Sequence, residues 1–201
     1  MGKICLVAIG EVAPQMWRWV FGTTCNRFRS RQISATRIKH FKFSEINNSV
    51  LFANSSKGHD GYLGNSVLGE WCNLGADTNN SNLKNNYAEV KLWDYEEGRF
   101  AKTGLQFCGL IMGDHSKCGI NTMFNTGTVI GVSANIFGSG FPRNFVPSFS
   151  WGGSAGYTTY QMHKVFEVAE VVMKRRKMEF DAKDKKILEQ VFEETKQYRN
   201  Y

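Results

Sequence analysis

No stretch of this 201-residue chain reaches 18 uninterrupted apolar residues, which excludes a membrane-spanning helix. The opening residues, MGKICLVAIG, hold one lysine and a short apolar run that ends at Glu11, a poor secretory signal. Cysteine is scarce: Cys5, Cys25, Cys72, Cys108 and Cys118 give an odd count and no CxxC pair. Reduced thiols, no metal site and a cytoplasmic location are therefore expected. A basic surplus is also missing from most of the chain. The net charge of +7 is accounted for by Lys3, Arg18, Arg27, Arg29, Arg31, Arg37, Lys39 and Lys42 against Glu11, and residues 44–201 are balanced. Neither nucleic acid nor a membrane is an expected partner of the remainder.

What the chain has is a six-residue period. Across FCGLIMGDHSKCGINTMFNTGTVIGVSANIFGSG, residues 107–140, the residues Met112, Cys118, Phe124, Ile130 and Ile136 recur every sixth position. Two positions before the last four stand Ser116, Thr122, Thr128 and Ala134. Directly after the first four stand Gly113, Gly119, Asn125 and Gly131. This period fits neither an amphipathic helix nor an alternating strand. It fits a parallel β-helix, whose coils have three short faces and turn at every sixth residue. The apolar residue is expected to point into a narrow interior, with the small residue filling the space beside it. The Gly or Asn is expected at the corner, where a positive φ costs these residues least. Cys118 is on the ladder and Cys72 at a small-residue position, so both read as buried small hydrophobes.

Taken in order, residues 1–43 form an irregular basic lead-in with Trp17, Trp19, Phe21, Phe28, Phe41 and Phe43 among arginines. RNA binding, a poorly ordered lead-in and a segment read in a shifted frame are the alternatives there. The period begins near Glu45 and defines a β-helix over 44–140. It is interrupted by ANSSKGHDGY and by a polar, asparagine-rich insertion at 76–105. Residues 141–160 read as an irregular strap over the end of the β-helix. A C-terminal helical hairpin completes 141–201. Its first helix, about 160–178, carries Val165, Val168, Ala169 and Val172 on one face and ends in Lys174–Lys177. Asp181 can cap the second, whose apolar face is Ile187, Leu188, Val191, Phe192 and Tyr198.

One string carries a resemblance. KGHDGYLGNSVLGEWCNLGADTNNSN holds Gly58-His59, then Tyr62, then Asn73-Leu74-Gly75-Ala76-Asp77-Thr78, then Asn82. Over about residues 44–140 it resembles the acetyltransferase half of the bifunctional glucosamine-1-phosphate acetyltransferase / N-acetylglucosamine-1-phosphate uridylyltransferase family. The nearest branch is the sugar nucleotidyltransferase-like one. The resemblance implies a left-handed parallel β-helix of hexapeptide repeats that assembles as a homotrimer with active sites between subunits. It implies acetyl transfer from acetyl-CoA to an amino-sugar 1-phosphate. His59 would take the amine proton, a task suited to an imidazole near neutrality. Asn82 would be its catalytic partner. Asn73 and Asn82 would hold the sugar or polarise the oxyanion, with Tyr62 in the same substrate site. Lys91 stands where archaeal relatives carry a phosphate-binding lysine.

Parts of the family pattern are missing. Asp77 stands where the family has a glycine, and no basic side chain lies between Lys42 and Lys57, where the sugar phosphate would be met. The GTRM-like glycine-rich loop of the nucleotidyltransferase domain does not occur, so nucleotidyl transfer is not expected of this stretch of chain. Two classes of function follow. One is an N-acyltransferase; the other is a non-catalytic β-helix that trimerises or regulates a sugar-1-phosphate nucleotidyltransferase domain.

Overall fold

The structure, a computed structural model, describes residues 44–201. The basic lead-in expected over 1–43 lies outside the described residues. The described chain is mainly β, with two α-helices near its end. Its strands are short, most of them two residues, and they stack in parallel. One column runs Val50–Leu51, Val67–Leu68, Ile111–Met112, Val129–Ile130 and Phe145–Val146. A second runs Asn73–Leu74, Lys117–Cys118, Asn135–Ile136 and Ser150–Gly153. The third joins Ser44–Asn47 to Gly61–Gly64, and Asn79–Asn80 to Met123–Phe124. This arrangement is compatible with a parallel β-helix.

The six-residue ladder forms the core. Met112, Cys118, Phe124, Ile130 and Ile136 are all buried in one cluster with Leu63, Leu68 and Leu74. The small residues Ser116, Thr122, Thr128 and Ala134 are buried beside them. Cys72, Cys108 and Cys118 are free and buried.

The corners fall elsewhere than the sequence suggested. Positive φ occurs at His115 (60°), Asn121 (56°), Gly127 (70°) and Ser133 (53°), midway between the ladder residues. An earlier set, Asn65, Trp71 and Asp77, keeps the same six-residue step. Gly113 and Gly131 are glycines for a different reason. A Cβ on Gly131 would run into the backbone of Ser148, and one on Gly113 would lie 2.9 Å from the carbonyl carbon of Gly131. They allow adjacent coils to approach.

The polar insertion is shorter than 76–105. Residues 76–82 continue the coil, because Asn79–Asn80 pairs with Met123–Phe124. Asn80 takes the inward position six residues after Leu74 and is 5% exposed. Its polarity disguised it in the sequence. The departure from regular coils starts after Asn82, bridges at Leu83 and Phe107, and carries an antiparallel hairpin, Lys91–Asp94 with Arg99–Lys102.

The coils also run past Gly140. Phe145–Val146 and Ser150–Gly153 add one more turn, and the antiparallel strand Gly156–Thr159 closes it. In this turn the strand spacing drops to 16 residues, from Ile130 to Val146 and from Ile136 to Gly152, so the period is lost to the eye.

Helix α1, Met162–Lys174, buries Val165, Ala169 and Met173 against Trp71 and Phe149. Helix α2, Ala182–Glu194, begins at the Asp181 capping box and adds Leu188 to the same cluster. Tyr198, expected on the apolar face of α2, lies in the 3₁₀ turn Lys196–Tyr198 instead. Its hydroxyl donates to the Tyr95 carbonyl at 3.1 Å, and its ring meets Trp93, Tyr95 and Phe145 edge-on. Among the described residues no helix is long and apolar enough to cross a membrane.

Candidate active site

The segment 53–60 turns from the first described coil into the strand Gly61–Gly64 and carries His59 at its exposed tip. It is less irregular than ANSSKGHDGY suggests. Ser56 bridges to Asn73 in parallel, and Ser55 Oγ accepts from Cys72 N at 2.8 Å. Asp60 Oδ1 accepts from Asp77 N at 3.1 Å, which ties the segment to the next coil.

Tyr62 follows on the strand. Its ring lies across Gly64, where any Cβ would overlap it, so the Tyr-Leu-Gly order has a steric reason. Its backbone N–H is held by Asn79 Oδ1 at 2.8 Å. Its hydroxyl accepts from Asn82 Nδ2 at 2.9 Å, and the same Nδ2 donates to Asn65 Oδ1 at 2.6 Å. The structure thus brings Tyr62 and Asn82 together across a coil. Both hydrogens of the Asn82 amide are committed, which leaves the Tyr62 O–H as the donor this pair can present.

Asn73 and Lys91 stand apart from that pair in the strand pattern. Asn73 is exposed in the second column, beside Lys117 in register. Lys91 is exposed at the start of the hairpin, opposite Lys102. The base of that hairpin rests on Gly127, whose added Cβ would meet Lys91 O at 2.8 Å.

Four residues outside the expected catalytic and substrate-binding set build this region. Asn65 and Asn79 fix Asn82 and Tyr62. Asp77 holds the corner with φ 52° and accepts from Asn79 Nδ2 at 2.9 Å, so an aspartate serves where a glycine was expected. Lys57 lies inside, 2% exposed, and donates to the His59 carbonyl at 2.7 Å and to the Asp60 carbonyl. The signal for Lys57 was its place midway between Leu51 and Leu63, six residues from each. Among the described residues no three of His, Cys, Asp and Glu gather into a metal-binding group.

No known protein-family profile matches the chain. Curated proteins do. It is 34% identical over 88 residues to the bifunctional protein GlmU of Methanocaldococcus jannaschii, covering 44% of this chain and 21% of that protein. It is 38% identical over 88 residues to the GlmU of Methanococcus aeolicus, with the same coverage. It is 34% identical over 93 residues to the bifunctional sugar-1-phosphate nucleotidylyltransferase/acetyltransferase of Sulfurisphaera tokodaii, covering 46% of this chain and 23% of that protein. The match therefore spans between a fifth and a quarter of the relatives' length. The homologues of this chain are transferases: GlmU-type bifunctional sugar-1-phosphate nucleotidyltransferase/acetyltransferase proteins.

Proposed function

We propose that this chain transfers an acetyl group from acetyl-CoA to the amine of an amino-sugar 1-phosphate. It corresponds in this reading to the C-terminal acetyltransferase part of such a bifunctional protein, a left-handed hexapeptide-repeat β-helix acting in the cytoplasm. The observation that carries the reading is the Asn82–Tyr62 hydrogen bond beside the segment that exposes His59. Histidine and tyrosine follow each other on one stretch of chain, and the asparagine comes from the next coil to contact the tyrosine.

In the reaction the sugar ammonium must first lose a proton, which His59 takes as general base. The free amine attacks the thioester carbonyl and forms the C–N bond. As the C–S bond breaks, the proton lost by that nitrogen passes to the departing sulfur and CoA leaves as the thiol. The Tyr62 hydroxyl, held by Asn82, can donate to the sugar or to the oxyanion that develops. Asn73 and Lys91 would come to the substrate from a neighbouring copy or through the hairpin, with Lys91 meeting the phosphate. We therefore include a homotrimer in the proposal, with sites completed between subunits. Exposed Ile120, Met123, Phe137 and Trp151 give the outer faces apolar surface for such packing.

The test is release of free CoA from acetyl-CoA in the presence of glucosamine-1-phosphate or galactosamine-1-phosphate, with the mass measured by light scattering. Turnover by a trimer supports the reading. A monomer at micromolar concentration, or no turnover and no rise in melting temperature with acetyl-CoA, removes it.

A second reading has its own support. Lys57 is the first basic side chain after Lys42, and it is turned into the interior rather than toward a sugar phosphate. That favours a non-catalytic β-helix that trimerises or regulates a sugar-1-phosphate nucleotidyltransferase domain. A trimer inert toward both amines and blind to acetyl-CoA is what this reading expects.

A further inference from the structure

The bridge between Ser56 and Asn73 sets Lys57 level with Leu74, whose strand continues through Cys118 to Ile136. Leu74, Cys118 and Ile136 belong to the buried apolar core, so a lysine stands at the end of an apolar column. Its methylenes can extend that column, but a buried ammonium is costly unless it is hydrogen-bonded. Here Nζ turns back and donates to two carbonyls of its own chain, those of His59 and Asp60. Hydrogen bonds from a charged donor are shorter and stronger than neutral ones. The Asp60 carboxylate is tied separately to Asp77 N in the next coil. The segment is thus held from inside by Lys57 and from the side by Asp77, while His59 itself is exposed.

Packing does not call for this lysine. An apolar residue of similar length would fill the same column without the cost of burying an ammonium. Burial also holds the Lys57 ammonium below the ordinary lysine range, against the pull of Asp60, Cys118 and Asp77. What the charge supplies is the grip on two consecutive carbonyls.

We propose that Lys57 is a positioning residue, its ammonium clamped on the His59 and Asp60 carbonyls so as to fix the backbone from which the His59 imidazole works. The proposal rests on His59 as the base of the acetyl transfer described above.

The test is Lys57→Met in the full chain, which keeps an unbranched side chain of similar reach and removes the donor. The His59 ring signals are followed by proton–carbon NMR and identified by their loss in His59→Gln. Expected are a melting temperature within a few degrees of wild type and shifted or broadened His59 signals. The kcat for acetyl transfer should fall about 10- to 100-fold, the scale of a small misplacement of a reacting group. The KM for acetyl-CoA should stay within about twofold, because the change acts on the chemical step. His59 signals that superimpose on wild type overturn the proposal whatever the activity. If wild type does not turn over and the His59 signals still respond, the clamp stands and the acetyl-transfer reading fails. Should Lys57→Met not fold, Lys57→Gln keeps a shorter donor. An intermediate change in the His59 signals then supports the clamp, and unchanged signals overturn it.

Discussion

Asn80 grips Gly64 from inside the stack of parallel strands: its Oδ1 accepts from Gly64 N at 2.8 Å and its Nδ2 donates to Gly64 O at 3.0 Å. The two strands are neighbours in the third column, and the asparagine side chain replaces the backbone ladder between them. An inward polar residue is tolerated because it is satisfied.

Restoring the apolar pattern at this position should therefore destabilise the protein. Asn80→Leu leaves Gly64 N buried without a partner, while Ser66 Oγ still serves the carbonyl at 2.8 Å. A loss of about 2 kcal/mol is expected, the cost of one unsatisfied buried amide. Urea unfolding measures it, and an unchanged or higher midpoint would refute the role given to Asn80.

Gly131→Ala should cost more than its ordinary φ suggests. The new methyl group would press on Ser148 backbone atoms, and Ser148 Oγ in turn accepts from Val132 N at 3.0 Å. Overpacking of this kind costs about 1–3 kcal/mol. A thermal melt within a degree of wild type would mean that the coils can separate without penalty.

Stability should fall as the solution is acidified from neutrality. Burial, reinforced by Lys117, lowers the His115 pKa to about 4. The unfolded imidazole binds its proton near its ordinary value of about 6.5, and the folded one waits until about 4, so folding loses free energy across that window. By pH 5 the loss is about 2 kcal/mol. Glu70 and Asp114, whose carboxyls burial pushes up, act in the opposite sense on acidification. The His115 contribution is isolated by comparing variants between pH 6.5 and 5. His115→Asn, a residue that accepts φ 60°, should flatten the decline in urea-unfolding free energy over that range. Parallel slopes for the two proteins would assign the decline to other groups.

On activity, His59→Ala should lower kcat by about 10²–10⁴, the usual contribution of a positioned base. Asn82→Ala should lower it by about 3 kcal/mol in barrier, through loss of the hold on Tyr62. Lys91→Ala should mainly raise the KM for the phosphorylated sugar, since it would act far from the bond being made. Steady-state CoA release with each variant measures all three. Wild-type turnover by His59→Ala would move the base elsewhere.

Much of the core was legible because an apolar ladder at a fixed step is a statement about geometry. Met112 through Ile136 had to share an interior, and they do. The candidate site was legible as residue types, and only partly as an arrangement. Tyr62 and Asn82 meet, whereas Asn73 and Lys91 lie on other parts of the surface. Lys57 and Asn80 were hidden because each is polar at an inward position. A sequence pattern built on hydrophobicity reads such residues as breaks in the coil.

The sequence by itself determined the period, the apolar interior and the two terminal helices, since each follows from spacing and from one capping aspartate. The tertiary structure decided which polar residues turn inward. That depends on a partner from another coil: Gly64 for Asn80, or carbonyls turned back within the same segment for Lys57. It also decided the corners. The left-handed residues are His115, Asn121, Gly127 and Ser133, while the neighbouring Gly113 and Gly131 are required by coils pressed against one another. Close approach between coils is a property of the stacked chain, and no local spacing encodes it.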